Sequence, residues 1–265
     1  MPFIENKGVR LRYRLEGKPD APTIIFSNSL GTNILMWDAQ VSALQDEFRI
    51  LRYDTRGHGL SAVPSGTYTQ EDFGRDVLAI LDAEEISCAY FCGLSMGGQT
   101  GVWLGANAPE RFERLVLCNT AAKIGSAEVW NQRIAAIRGG GMDAIVSATI
   151  TRWFSERFIA GAPGAIGSIR KVILETPPQG YIACCEAIRD ADLATEASRT
   201  RLPTLVISGA HDPATPAAQG RSLAAMIPGA RYRELDAAHL SNIEAASQFT
   251  AALREFFGSA ARGAL

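Results

Sequence analysis

Hydrophobic and polar positions along this chain repeat with two periods that take turns. Over residues 9–16 apolar and basic side chains alternate (Val-Arg-Leu-Arg-Tyr-Arg-Leu-Glu), the period of two of a half-exposed antiparallel strand. Short, mainly apolar runs follow at 23–26, 48–53, 89–92, 115–118 and 204–207, as in strands buried on both faces. Between the runs, residues 37–44, 73–81, 217–226 and 246–257 carry apolar side chains three and four apart, the helical spacing. Strands alternating with helices predict an α/β protein. Its mostly parallel central sheet should carry helices on both faces and an antiparallel pair at the N-terminal edge.

The alternation stops near Ala121 and resumes near Ala197. This stretch has helical periodicity at 129–137, 144–154 and 181–189 but no convincing strand. Gly139-Gly140-Gly141 and Thr176-Pro177-Pro178-Gln179-Gly180 punctuate it. The expected organisation is a core of residues 1–120 and 198–265 with a helical cap, or lid, inserted at 121–197. Residues 259–265 are expected to fray.

Composition narrows the function. A chain of 265 residues can bury one large core, and 47% hydrophobic residues suit a globular protein. The net charge of −2 leaves no basic footprint for nucleic acid or for an anionic membrane surface. No segment approaches the run of about 20 apolar residues that a membrane span needs. The five cysteines (Cys88, Cys92, Cys118, Cys184, Cys185) are odd in number, and three lie in strand-like runs. They read as buried thiols in a reducing compartment, and they form no metal-ligand set. With no signal-like N-terminus, a cytoplasmic monomer or small homo-oligomer is expected, acting on a small molecule.

The candidate chemistry begins at Gly93-Leu94-Ser95-Met96-Gly97, between the run 89–92 and a helical pattern over 99–108. Strand, Gly-x-Ser-x-Gly, helix is the context of a nucleophile elbow, with Ser95 on a sharp turn and small residues two positions either side. A serine hydroxyl needs a base, and the base needs an orienting acid. Of the three histidines, His58 lies upstream in the glycine-flanked Arg56-Gly57-His58-Gly59, where a structural hydrogen bond within the turn is expected. His211 abuts Asp212. His239 follows the strand-like 231–235, and it leaves room for an acid before it on a separate strand end. In the chain order serine, acid, histidine, His239 is the base.

Asp212, just past the strand ending near Ser208, is the candidate acid. Asp236 is too near His239 in sequence, Asp190 and Asp192 fall in the insertion, and the strand ending at Cys118 offers only Asn119 and Thr120 at its tip. The oxyanion formed on attack needs two preorganised donors. By position these are the backbone N–H groups of Met96 and of Leu30, in Ser27-Asn28-Ser29-Leu30-Gly31-Thr32.

These blocks, with Arg52-Tyr53-Asp54-Thr55-Arg56-Gly57-His58-Gly59 and Ala238-His239, resemble the α/β-hydrolase superfamily over nearly the whole chain. Asn28-Ser29 stands where many members have a His-Gly pair. More narrowly, Ser-Asn-Ser-Leu-Gly-Thr followed by Met36-Trp37-Asp38, together with Arg152-Trp153-Phe154, is similar to the 3-oxoadipate enol-lactonases of aromatic catabolism.

The resemblance implies ring-opening hydrolysis of a lactone that carries a carboxylate, by Ser-His-Asp chemistry with no metal or cofactor. Such a substrate calls for a cation in the pocket. Arg133, one helical turn after Trp130, is favoured over Lys123, Arg138 and Arg152, and Trp130 and Trp153 are candidate apolar walls. Related readings on the same frame are a carboxylesterase, a cofactor-free perhydrolase or haloperoxidase, and a ligand receptor that retains the triad.

Overall fold

The structure, a computed structural model, describes residues 2–258, so the fraying expected at 259–265 lies outside the described residues. Its strands are β1 (Phe3–Asn6), β2 (Val9–Gly17), β3 (Thr23–Ser27), β4 (Arg49–Tyr53), β5 (Ala89–Leu94), β6 (Phe112–Cys118), β7 (Thr204–Gly209) and β8 (Arg231–Leu235). They form one sheet in the order β1-β2-β4-β3-β5-β6-β7-β8. Pairing is antiparallel from β1 to β2 and from β2 to β4, and parallel from there on. The expected α/β layering with an antiparallel N-terminal edge is what the chain forms.

Helices α1 (Asp38–Leu44), α2 (Gln70–Ala83) and α3 (Met96–Asn107) alternate with the early strands. Between β6 and β7 lie α4 (Ala127–Gly140), α5 (Asp143–Trp153), α6 (Glu156–Gly161), α7 (Pro163–Glu175), α8 (Pro178–Asp190) and α9 (Ala194–Arg199). Helix α10 (Ala217–Met226) joins β7 to β8, and α11 (Ser241–Glu244) and α12 (Ala246–Gly258) follow β8. Local chemistry sets these ends. Helix α2 starts in a reciprocal cap, where the Asp72 N–H donates to Thr69 Oγ1 at 3.1 Å and the Thr69 N–H donates to Asp72 Oδ2 at 2.9 Å.

Alternate residues of the central strands feed opposite cores, as a pleat of period two requires. Ile24, Phe26, Cys92, Val116 and Ile207 enter one apolar cluster, and Ile25, Phe91, Leu117 and Val206 enter the other. The first cluster continues into the helices between β6 and β7 through Ile134, Ile145, Ile150, Ile173 and Ile188. Those helices therefore cover the sheet with the same apolar material that holds it together. Leu193 and Ala197, at α9, join the opposite cluster instead.

The segment after β4 ties the loops of the C-terminal sheet edge together. Asp54 accepts from the Ile34 N–H at 3.0 Å, from the Leu60 N–H at 2.9 Å and from Arg12 Nη1 at 3.0 Å. Arg56 donates to both oxygens of Asp76 on α2, at 2.7 and 2.8 Å. Both carboxylates are fully buried, so each is held by charge-assisted bonds that offset its desolvation.

Candidate active site

Strand β5 runs into α3 through Ser95, whose φ of +59° and ψ of −114° lie outside the regions ordinary residues occupy. The turn persists because its neighbours over-determine it. The Ser95 N–H donates to the Cys118 carbonyl at 2.9 Å, and the Ser95 carbonyl accepts from Thr120 Oγ1 at 2.8 Å and the Gln99 N–H at 3.0 Å. A Cβ on Gly93 would stand 2.1 Å from the Gly97 carbonyl oxygen, and one on Gly97 would stand 2.3 Å from that of Ser27. Only glycine fits at either position.

Asp212 and His239 arrive from the tips of β7 and β8. Asp212 Oδ2 accepts from His239 Nδ1 at 2.8 Å, from Asn119 Nδ2 at 3.0 Å and from Thr215 Oγ1 at 2.7 Å. Its Oδ1 accepts from the N–H groups of Ala214 and Thr215 at 2.8 and 3.0 Å. Burial alone would push this carboxyl up. The charge of the facing imidazole and the hydrogen bonds from His239, Asn119 and Thr215 outweigh it and hold the carboxyl below its ordinary range.

Among the described residues, His239 Nε2 and Ser95 Oγ have no hydrogen-bond partner, and both residues line one cavity. A base and a hydroxyl so placed can close on each other when substrate enters. Asp236 pairs elsewhere, accepting from His211 Nε2 at 2.8 Å and from Arg157 at 3.2 Å at the surface. Asp190 and Asp192 pair at the surface with Arg189 and Lys123.

The loop 28–31 after β3 abuts the elbow. Asn28 fastens it: its carbonyl accepts from the Gly97 N–H at 3.1 Å, its Oδ1 from Trp37 Nε1 at 2.9 Å, and its Nδ2 donates to the Tyr53 carbonyl at 2.6 Å. The Ser29 N–H is committed to Met36 Sδ and the Gly31 N–H to His58 Nε2. Among the described residues, the N–H groups of Leu30 and Met96 have no partner. Two buried donors flanking the serine are the arrangement an oxyanion requires.

The cavity is lined by Ser95, His239 and Leu30 below and by Trp130, Arg133, Arg152 and Trp153 from α4 and α5 above. The Trp153 ring stacks on the His239 imidazole, centroids 6.5 Å apart, and its carbonyl accepts from the Leu240 N–H at 3.1 Å. Trp130 donates to the Ile124 carbonyl at 2.6 Å. Arg133 lies over the Trp130 ring and donates to the Tyr181 hydroxyl at 2.8 Å. Arg152 forms no hydrogen bond or ion pair among the described residues. Burial lowers its pKa, and the neighbouring charge of Arg133 lowers it further. An anion in the cavity would relieve both effects.

His58 does more than expected. Its Nδ1 makes the expected bond within the turn, to the Arg56 carbonyl at 3.4 Å, but its Nε2 makes a second, unexpected one, accepting from the Gly31 N–H at 2.8 Å, across the site. The side chain is fully buried, and burial pushes its pKa down to about 4 from the ordinary 6.5. An unfolded chain would protonate this histidine where the folded one stays neutral. The unfolded state therefore binds more protons between those values, so stability is fullest above about pH 6.5 and falls as the pH drops towards about 4, by about 3 kcal/mol. Urea unfolding near neutrality and near pH 4.5 should show this loss in the wild type, with His58→Gln losing less. Equal losses in the two proteins would contradict it.

A model of the alpha/beta hydrolase fold family matches residues 22–160. The chain is 42% identical to 3-oxoadipate enol-lactonase 2 of Acinetobacter baylyi, over 92% of each chain. It superposes on the crystal structure of the enol-lactonase from Burkholderia xenovorans LB400 with a TM-score of 0.95 and 50% identity, covering 97% of this chain and 100% of that one. A hydrolase from Pseudomonas aeruginosa PA01 follows at a TM-score of 0.94 and 44% identity, covering 97% and 98%. Strand order, elbow and full-length similarity agree, and the chain belongs to the alpha/beta hydrolase fold family.

Proposed function

We propose that this protein is a serine hydrolase that opens 3-oxoadipate enol-lactone to 3-oxoadipate, with Ser95, His239 and Asp212 as its triad. The observation that carries the reading is a single cavity holding Ser95, His239 and an unpartnered guanidinium, in a chain 42–50% identical to enol-lactonases. Residues 121–197 serve as the lid, supplying the tryptophans and arginines of its upper wall.

The steps follow from the contacts. Ser95 Oγ attacks the lactone carbonyl while His239 Nε2 takes its proton, and Asp212 holds the imidazole by Nδ1 and steadies its positive form. The carbonyl oxygen becomes an oxyanion received by the Leu30 and Met96 N–H groups. Collapse breaks the ring C–O bond. The leaving oxygen takes the proton from His239 and departs as an enol, which tautomerises to the ketone and stays tethered within the acyl-enzyme. Water then gives a proton to His239, attacks the ester and restores Ser95. No step needs a metal or cofactor.

The substrate carboxylate pairs with Arg152, beside Arg133. Arg152→Ala should raise KM for the lactone roughly tenfold to a hundredfold, the range for losing a charge-assisted bond, and leave p-nitrophenyl acetate hydrolysis within about twofold. Equal loss on both substrates would point to a structural role instead.

Turnover of enol-lactone, of a simple ester, and of peroxide with acetate, measured side by side, tests the assignment. The lactone should give the highest kcat/KM. Preference for the ester would make the enzyme a carboxylesterase, and peracid formation a perhydrolase. Cytoplasmic placement suits the five cysteines, all of them free thiols. Among the described residues no helix is long and apolar enough to cross a membrane.

A further inference from the structure

We propose that His58 is a positioning residue for the oxyanion site, its unprotonated Nε2 accepting the Gly31 N–H and so leaving the adjacent Leu30 N–H aimed at the reacting carbonyl. The inference rests on the serine-hydrolase reading of Ser95 and not on the choice of lactone as substrate.

The geometry is specific. The bond, 2.8 Å long, links the segment after β4 to the loop after β3. Its direction fixes the tautomer: a backbone N–H can only donate, so Nε2 must be the acceptor and the ring proton sits on Nδ1. Nδ1 faces the Arg56 carbonyl at 3.4 Å and the Cys184 thiol at 3.9 Å, so no charged donor competes there. Full burial keeps the ring neutral and the lone pair available.

The opposite side of Gly31 is closed by α8. Gly31 has a φ of +76°, and Tyr181 Cε2 stands 2.8 Å from where a Cβ would be. The residue before Leu30 is held as well, by the Met36 sulfur on the Ser29 N–H and by the Thr32 N–H and hydroxyl on the Ser29 carbonyl. Leu30 thus hangs between two anchored neighbours with its own N–H unspent. Of the anchors, His58 is the only side chain whose protonation state decides whether its bond exists. It also has no contact of its own with the cavity.

Loss of this anchor lets the Leu30 N–H swing without removing it. The effect should fall on the oxyanion, which exists only during reaction, and not on ground-state binding. Two variants and one wild-type measurement test this. His58→Leu keeps approximate volume without an acceptor, while His58→Gln can return an amide oxygen near the position of Nε2.

For both enol-lactone and p-nitrophenyl acetate, His58→Leu should lower kcat about tenfold to a hundredfold, with KM within about threefold, and His58→Gln should recover most of that loss. A kcat within about twofold of wild type in His58→Leu overturns the proposal, as does equal impairment of both variants or a loss carried by KM. Should neither variant fold, ¹⁵N NMR of the wild type decides. An unprotonated Nε2 with through-hydrogen-bond coupling to the Gly31 amide supports the proposal, and a protonated Nε2 overturns it. Wild-type turnover of the acetate without the lactone would remove the substrate assignment and leave the role of His58 to these same measurements.

Discussion

Ser95→Ala should abolish enol-lactone turnover, with kcat falling about 10⁶-fold, the scale of loss when a serine nucleophile is removed from an intact triad. The fold should survive. Ser95 Oγ makes no hydrogen bond among the described residues, and the backbone bonds that hold the elbow involve only the main chain of Ser95. Circular dichroism and thermal unfolding should therefore match the wild type to within about 1 kcal/mol. Residual activity above the uncatalysed rate is expected, because the N–H donors of Leu30 and Met96 remain. Turnover at a tenth of the wild-type rate or more would show that another group attacks the lactone.

Asp212→Asn should lower kcat about 10⁴-fold while leaving the cavity almost unchanged in shape. The reason is the tautomer. An amide nitrogen at Oδ2 would offer a proton where His239 Nδ1 now donates one. The imidazole would answer by accepting at Nδ1 and carrying its proton on Nε2, where it can no longer take the Ser95 proton. The amide nitrogen would also face Asn119 Nδ2, now 3.0 Å from Oδ2, leaving two donors opposed. That adds a stability loss of about 1–3 kcal/mol. A variant with kcat within about tenfold of wild type would mean that Asp212 does not set the state of His239. The measurement pairs steady-state kinetics with urea unfolding, because the two losses arise from different contacts.

The central strands β3, β5 and β7 were legible because they are buried on both faces and read as short, mainly apolar runs. The elbow was legible for a steric reason: the approach of Gly97 to Ser27 and of Gly93 to Gly97 excludes any side chain, and that exclusion is written as Gly-x-Ser-x-Gly. Between β6 and β7, helix α7 escaped notice although Ile166, Ile169 and Ile173 lie on its inner face. Pro163, Gly164 and Gly167 look like a turn, yet Pro163 occupies the first helical position, where a missing N–H costs nothing. Pro178 does the same for α8, so the Pro-Pro pair is less a break than a start. The short β1 lacks the length to show a period at all.

Residues defined by long-range partners were the least legible. Arg133 and Arg152 are indistinguishable by spacing, and they separate only once Tyr181 is seen to engage one and not the other. Asn119 was noted only as a non-acid at the tip of β6, whereas it donates to Asp212 and accepts from Ser241 Oγ at 2.6 Å. His58 sits in a turn whose glycines suggest a local bond, which Nδ1 makes to the Arg56 carbonyl, but the partner of Nε2 lies 27 positions away. Glu244 joins Ser155, the N-cap of α6, to the Ala238 N–H beside His239. No pattern in the sequence announces that link.

Irreversible labelling tests the central claim most directly. A fluorophosphonate should modify the wild-type protein once, on the peptide containing Ser95, and enol-lactone turnover should disappear in step with the label. Full occupancy of Ser95 with turnover undiminished would contradict it.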